Sequence, residues 1–468
     1  MVSYRPLGLV GVPGSLVGED FCMPSLPIRS RLRPLSDFLA TEAAGGIALV
    51  AAALVALVWA NSPWGDSYQA VWSTAFELRV GSWSLGMDLR HWLNEGLMAV
   101  FFLVVGLEIK REVVEGELRD PRHRALPVAA ALGGMVVPAL LYLVFNSRGP
   151  GVRGWGIPMA TDIALAVGVM SLIASRVAPS LKLFLLALAI VDDIGAILVI
   201  GLFYASEGTR AWLLPGGALV LATLWLRRKA VQSIPPYVAI GVGLWFCFFQ
   251  AGIHATLVGV IMGLLAPTKP YRAPEFVDEA ELLSIGSAES VIVTQRLARS
   301  TVSVVEWLEA RLHPWTSFLI VPLFTLANAG ISVSGESIRG AISSPVAWGI
   351  VAGLVLGKPL GILLFSAVAV KVGIAKKPEG ASWKSIGATG ILAGVGFTVS
   401  VFIAELALEA PVLNHGKLAV LAASIMAGGL GLFALMAEPG ATSPDSGASR
   451  SHRSRPLQHR RKQGSGAD

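Results

Sequence analysis

The sequence predicts an all-α polytopic membrane protein with about twelve transmembrane helices, and three observations predict it. Of the 468 residues, 54% are hydrophobic and only 15% are charged, against roughly 25% charged in a soluble domain. The apolar residues fall in long blocks, such as residues 45–60, 183–204, 237–249, 318–329 and 418–437, and a spanning helix takes about 20 mostly apolar residues. The cations between the blocks are sorted to alternate loops.

In chain order, spans are expected to start near Phe38, Leu93, Pro127, Ile157, Leu181, Leu213, Tyr237, Gly252, Phe318, Ala347, Ser385 and Gly416. With the N-terminus inside, the inner segments hold Arg29, Arg31 and Arg33, residues 110–124, Arg227 to Lys229, residues 269–311, residues 371–384 and residues 450–462. The outer segments hold only Arg79, Arg90, Arg148, Arg153, Arg210, Arg339 and Lys417. Lys and Arg accumulate on the cytoplasmic side, so an even number of spans with both termini cytoplasmic is expected. The formal charge of +6 is therefore a feature of membrane topology; the expected partner is the lipid bilayer and not nucleic acid. Cys22 and Cys247 are too few for a disulfide framework.

Three regions lie outside the expected bundle. Residues 1–36 form a flexible cytoplasmic extension without the basic, apolar and small-residue succession of a signal peptide. Within the membrane domain, residues 37–438, a polar cytoplasmic insertion covers about residues 268–305 and carries Asp278, Glu279 and Glu281. Residues 439–468 are rich in Ser, Gly and Arg and read as a basic disordered tail. Between the first two spans, residues 61–92 alternate polar and apolar side chains around Gly81, which predicts an external β-hairpin.

Few ionisable residues are expected at membrane depth, where each costs ~2.5–3.5 kcal/mol on insertion scales and is a functional candidate by default. They are Asp162, the adjacent Asp192 and Asp193, and Lys358, with Glu405 and His254 nearer the ends of their spans. Neighbours on a helix point about 100° apart, so the two adjacent aspartates cannot both face one ligand. One can face a cavity while the other meets a partner, and Lys358 is the only deep cation available on this reading. A carboxylate left free binds a hard cation such as Na+ through oxygen or a proton once desolvated, but not both. That competition is the minimum machinery of an antiporter.

Asp162 follows Gly154, Gly156, Pro158 and Thr161, which predicts a helix interrupted near mid-membrane. A second interruption is predicted by Gly387, Gly390, Gly394 and Gly396 ahead of Phe397 and Thr398. Close helix packing is the competing reading of those glycines. Transporters place ion sites at such breaks, where helix ends point at the ligand; an anion there offsets two N-terminal dipole ends, and a cation two C-terminal ends.

These residues carry a resemblance to the NhaA-type sodium/proton antiporter family over about residues 38–437. The matching segments are MAVFFLVVGLEIKRE (98–112), GGMVVPA (133–139), ATDIA (160–164), AIVDDIGA (189–196), GIHATL (252–257), LHPW (312–315), ANAG (327–330), GKPLG (357–361) and GVGFT (394–398). The resemblance implies inverted repeats and two discontinuous helices crossing at mid-membrane. It further implies that Asp193 is the principal ion- and proton-exchanging carboxylate, with Asp192 as second carboxylate and partner of Lys358. Thr161 and Asp162 would lie at the crossing, with Asp162 and Lys358 compensating charge. Electrogenic, pH-regulated extrusion of Na+ or Li+ in exchange for H+, in a bacterial inner membrane, is the expected activity.

By the same resemblance, pH regulation falls on Glu108, Arg111, Glu112, Glu309 and His313 at the cytoplasmic funnel, and on His254. A homodimer through the external loop after the first span is implied as well. No enzymatic reaction and no cofactor beyond the transported ions is expected. Ala310 departs from the family pattern, standing where better-known members have a second histidine beside Glu309. Two rival readings fit less well. A solute symporter needs aromatic or hydrogen-bonding residues near the acidic site, and none cluster there; an intramembrane aspartyl protease needs two carboxyls sharing a proton, which a nearby lysine opposes.

Overall fold

The structure is a computed structural model that describes residues 29–268 and 302–438, apart from residues 81, 82, 175, 206, 207, 230 and 232. The predicted N-terminal extension up to residue 28, nearly all of the cytoplasmic insertion and the basic tail lie outside the described residues.

The described chain is helical apart from one hairpin. Helix α1 is Arg29–Ala60, and its strongly apolar part begins at Ala43. After α2 (Gly65–Trp72), β1 (Ala75–Val80) pairs antiparallel with β2 (Trp83–Asp88), in the register Ala75↔Asp88 to Val80↔Trp83. The predicted hairpin is therefore present, with the tip at residues 81 and 82 outside the described residues. Asp88 turns the hairpin into the next helix by capping α3 (Leu89–His91), its Oδ1 accepting from the His91 backbone N–H at 2.7 Å. Desolvation acts to raise the Asp88 carboxyl, but the His91 backbone and ring hydrogen bonds outweigh it and hold the group below the usual carboxylate range.

A π-helical turn, Trp92–Leu97, joins α3 to α4 (Met98–Val114). There follow α5 (Pro121–Phe145), a 3-10 segment Val152–Met159, α6 (Ile163–Ser171), α7 (Pro179–Phe203), α8 (Leu213–Arg228), α9 (Ile234–Gln250) and α10 (Leu257–Leu265). The second half contains α11 (Val304–Trp315), a π-helical turn Thr316–Ile320, α12 (Val321–Asn328) and α13 (Gly335–Ser343). Then come α14 (Pro345–Ala352), a π-helical turn Gly353–Gly357, α15 (Lys358–Lys371), α16 (Trp383–Ala393), α17 (Phe397–Ala407) and α18 (Val412–Met436).

Six of these helical stretches are long and apolar enough to cross a membrane, or seven when the bent pair α16 and α17 counts as one. Among the remaining expected spans, α4, α8 and α9 have 17, 16 and 17 residues, and α10 and α12 only 9 and 8. The π-helical turns before α4 and α12 continue those helices without a gap, whereas a loop turning at Gly252 (φ +74°) precedes α10.

Packing brings the halves of the site together. α5 runs along α15, and α7 packs on α5. The α5–α15 contact is backbone to backbone: a Cβ on Gly133 would overlap the carbonyl of Gly361, and one on Gly361 would overlap that of Gly133. Only small residues allow that approach. Tyr142, Ile157, Leu354, Phe402 and Ile403 are fully buried around the interruptions, in one apolar cluster.

Candidate functional site at two helix interruptions

The first interruption forms where Pro158 and the glycines before it hold the chain in a tight 3-10 segment ending at Met159. Ala160 (φ −78°, ψ 151°) and Asp162 (φ −88°, ψ 101°) are extended, and α6 begins at Ile163. At the second interruption α16 stops at Ala393 and α17 starts at Phe397, the two axes differing by 49°. Gly394 is required there, because a Cβ would meet the Leu354 carbonyl.

Extended backbone at a break leaves N–H and C=O groups without helical partners, and here the two breaks supply each other. Asp162 N–H donates to the Val395 carbonyl at 2.7 Å. Thr161 Oγ1 lies 3.0 Å from the Ala393 carbonyl, at the end of α16. Ser400 Oγ donates to the Ile157 carbonyl at 2.8 Å. The Asp162 carboxylate serves two helix starts at once: Oδ1 accepts from Leu165 N–H of α6 at 3.1 Å, and Oδ2 from Thr398 N–H of α17 at 2.9 Å and from the Thr398 hydroxyl at 2.5 Å. One negative charge thus faces two positive dipole ends.

α7 lays the acidic pair beside this junction. Asp192 is fully buried; its Oδ2 accepts from Thr161 Oγ1 at 2.8 Å and lies 3.0 Å from Lys358 Nζ, which is itself fully buried. Lys358 also donates to the Met159 carbonyl, the last of the 3-10 segment. Of the two backbone ends the sequence reading gave to a cation, Lys358 meets this one, while the α16 end is met by the Thr161 hydroxyl.

Asp193 differs from its neighbour. It retains 7% exposure where Asp192 has none, and its Oδ1 has no hydrogen-bond partner. Asp192 Oδ1 likewise lacks one. The charges of Asp192, Glu108, Lys358 and Asp162 all act on Asp193. Two buried carboxylate oxygens without donors suit a hard cation or a proton.

The other predicted residues gather in two places. Arg111 Nη1 on α4 meets Glu309 Oε1 on α11 at 2.5 Å, and Glu309 is 4% exposed. His313 Nε2 lies 3.8 Å from Glu108 Oε1, on the same pair of helices. Glu112 is three residues further along α4 than Ile109 and lies against Gly116. His254 stands apart, in the loop before α10. Its Nε2 is 2.7 Å from the Tyr204 carbonyl and its Nδ1 is 3.2 Å from Glu95 Oε1. A carbonyl only accepts, so Nε2 carries hydrogen and Nδ1 faces the carboxylate. Glu95 and Glu108 are 13 positions apart on a continuous helical run, about 20 Å at the usual rise.

Two features escaped the sequence reading. Glu95 Oε2 accepts from the Ala255 backbone N–H at 2.9 Å, and its Oε1 lies 3.2 Å from His254 Nδ1; only its place one turn before an apolar helix hinted at it. Lys417, expected among the outer cations, is 6% exposed and paired with Glu405 in the second turn of α18. Lys358 is therefore not the sole buried and paired lysine among the described residues. The cause is tertiary: α17 returns into α18 within five residues, which brings Glu405 against the second turn of α18.

Comparison with known proteins identifies the family of the chain. The model of the family described as Na+/H+ antiporter 1 matches residues 36–435. A relative in Rhodopirellula baltica, named Na(+)/H(+) antiporter NhaA, is 46% identical over 424 residues, covering 88% of this chain and 96% of its own. Namesakes in Rhizobium meliloti and Oleidesulfovibrio alaskensis are each 43% identical, over 88% and 86% of this chain and 96% and 93% of theirs. With apolar helices long enough to span, a paired aspartate site at two breaks and these similarities, the chain is a multi-pass membrane protein that belongs to the Na+/H+ antiporter NhaA family.

Proposed function

We propose that the protein is an electrogenic, pH-regulated antiporter that extrudes Na+ or Li+ in exchange for H+ across a bacterial inner membrane, with both termini cytoplasmic. The observation that carries this reading is the asymmetry of the acidic pair: Asp192 is fully buried and neutralised by Lys358, while Asp193 keeps residual exposure and an unpartnered oxygen. Asp193 then binds Na+ or a proton in competition, with the free oxygen of Asp192 as a second ligand. Thr161 orients Asp192, and Asp162 fixes the two helix starts. The relatives are named as Na+/H+ antiporters, which supports Na+ and H+ as the exchanged ions.

On this reading the five shorter helical stretches complete twelve spans, the two interrupted helices cross at mid-membrane, and access alternates between the sides. Glu108, Arg111, Glu112, Glu309 and His313 tune activity with pH from the cytoplasmic end, and His254 does so beside Glu95. The hairpin of β1 and β2 presents an edge through which a homodimer forms. Lys358 beside Asp192 argues against two carboxyls sharing a proton for proteolysis.

Everted vesicles with an acidic interior test the reading. Adding Na+ or Li+ should collapse the pH gradient, and Asp193→Asn should remove that response while the chain still inserts. A wild-type chain that gives no response to either ion at neutral or alkaline pH overturns it.

A further inference from the structure

Helix α17 is held at both ends on one face. Thr398 and Glu405 are seven residues apart, so they project within about 20° of each other, two turns apart. At the start of α17, Thr398 gives its N–H and its hydroxyl to Asp162. At the other end Glu405 pairs with Lys417 of α18, their side chains only 15% and 7% exposed. A carboxylate in the last turn of a helix faces the negative dipole end, so Glu405 does not serve α17 alone; Lys417 restores the favourable sign. The surroundings make this a gathered cluster. Arg90 of α3 acts electrostatically on Lys417, and its Nε is buried without a hydrogen-bond partner. Tyr68 of α2 senses both Arg90 and Glu405, and it donates to the carbonyls of Leu326 and Ala327, beside the end of α12.

We propose that the Glu405–Lys417 pair is a positioning element for ion exchange. It fixes the axial place of α17 against α18, and so keeps Thr398 on Asp162 at the junction of the two breaks. This rests on the exchange reading given above for that junction. Glu405 and Lys417 touch neither Asp192 nor Asp193, and they act through the helix.

The test uses the full chain in everted vesicles, with apparent KM and Vmax for Na+ measured at one pH. Replacing both residues by neutral ones, Glu405→Gln with Lys417→Met, leaves no buried charge unpaired. It should raise KM about tenfold, a loss of about 1.4 kcal/mol in binding, with Vmax little changed. The exchanged pair, Glu405→Lys with Lys417→Glu, should recover much of the loss. In a Thr398→Val background the neutral pair should raise KM by less than it does in wild type, since the hydroxyl half of the Thr398–Asp162 contact is already gone and only the N–H remains. Hydrogen–deuterium exchange adds a readout independent of transport: the first turn of α17 should exchange faster in the neutral pair than in wild type. If the neutral pair fails to insert, Glu405→Asp, which keeps the charge of the pair on a shorter side chain, carries the same readouts. Wild-type KM and wild-type amide exchange in these variants overturn the proposal, as does a fully additive effect with Thr398→Val. A wild type that exchanges neither ion overturns the function reading instead, and the amide exchange then decides the positioning claim alone.

Discussion

The Lys358 ammonium lies 3.0 Å from the Asp192 carboxylate with both side chains wholly removed from solvent. A buried pair of this kind is neutral or costly against an apolar replacement, yet removing one partner strands the other charge. Lys358→Met should therefore lower stability by about 3–5 kcal/mol, and adding Asp192→Asn should recover most of that. Thermal unfolding of the purified protein in detergent checks the order of the three chains; equal loss in the single and double variants refutes it.

Thr161 has one hydroxyl proton and two acceptors, Asp192 at 2.8 Å and the Ala393 carbonyl at 3.0 Å. Thr161→Val keeps the shape and removes the donor, which should cost about 1–3 kcal/mol by taking the hydroxyl from the Ala393 carbonyl and leaving Asp192 Oδ2 to Lys358 alone. Thr161→Ser should lie close to wild type. Sodium KM in vesicles and melting temperature measure the two effects, and a valine variant that matches serine in both would contradict the role.

The crossing of α5 and α15 leaves no room for a Cβ at Gly133 or Gly361. Gly361→Val should separate the helices and destabilise by about 1–3 kcal/mol through overpacking. Since Lys358 sits one turn before Gly361 on α15, that displacement should lower exchange as well. Measuring unfolding and transport of the same preparation decides whether both fall together.

Asp88 caps the helical run that follows the hairpin. Asp88→Ala should cost about 0.5–2 kcal/mol. The carboxyl is held below its ordinary value in the fold, so the folded state favours the ionised form. Its contribution is full above about pH 4, the unfolded value, and is lost as pH falls through the lowered folded value. Unfolding measured from neutral to acid pH should show the wild-type advantage over the alanine variant shrinking only at the acid end.

Arg111 and Glu309 tie α4 to α11, with Glu309 nearly buried. Arg111→Met should strand that carboxylate and destabilise more than Arg111→Met with Glu309→Gln. A double-mutant cycle on melting temperature reads the coupling, and strict additivity would remove it.

The sequence by itself determined the membrane class, the acidic pair, the lysine and the first interruption, because bilayer cost and helix-breaking residues act locally; for the glycines of the second interruption it left close helix packing as an equal reading, and the structure shows the break. Proline alone does not decide a break, since Pro127 and Pro138 sit inside α5, whereas Pro158 with the glycines before it ends a 3-10 segment. The hairpin was legible too, from alternation on either side of Gly81. Resemblance, and not spacing, chose Asp192 as the partner of Lys358, and the distances agree with it. Only the tertiary structure decided which distant groups serve each other. Asp162 reaches Thr398 across 236 positions, Thr161 reaches Ala393, and Lys417 of α18 meets Glu405 of α17. Those pairings depend on how helices cross, and helix crossing is set by packing of faces far apart in the chain, which no local pattern records.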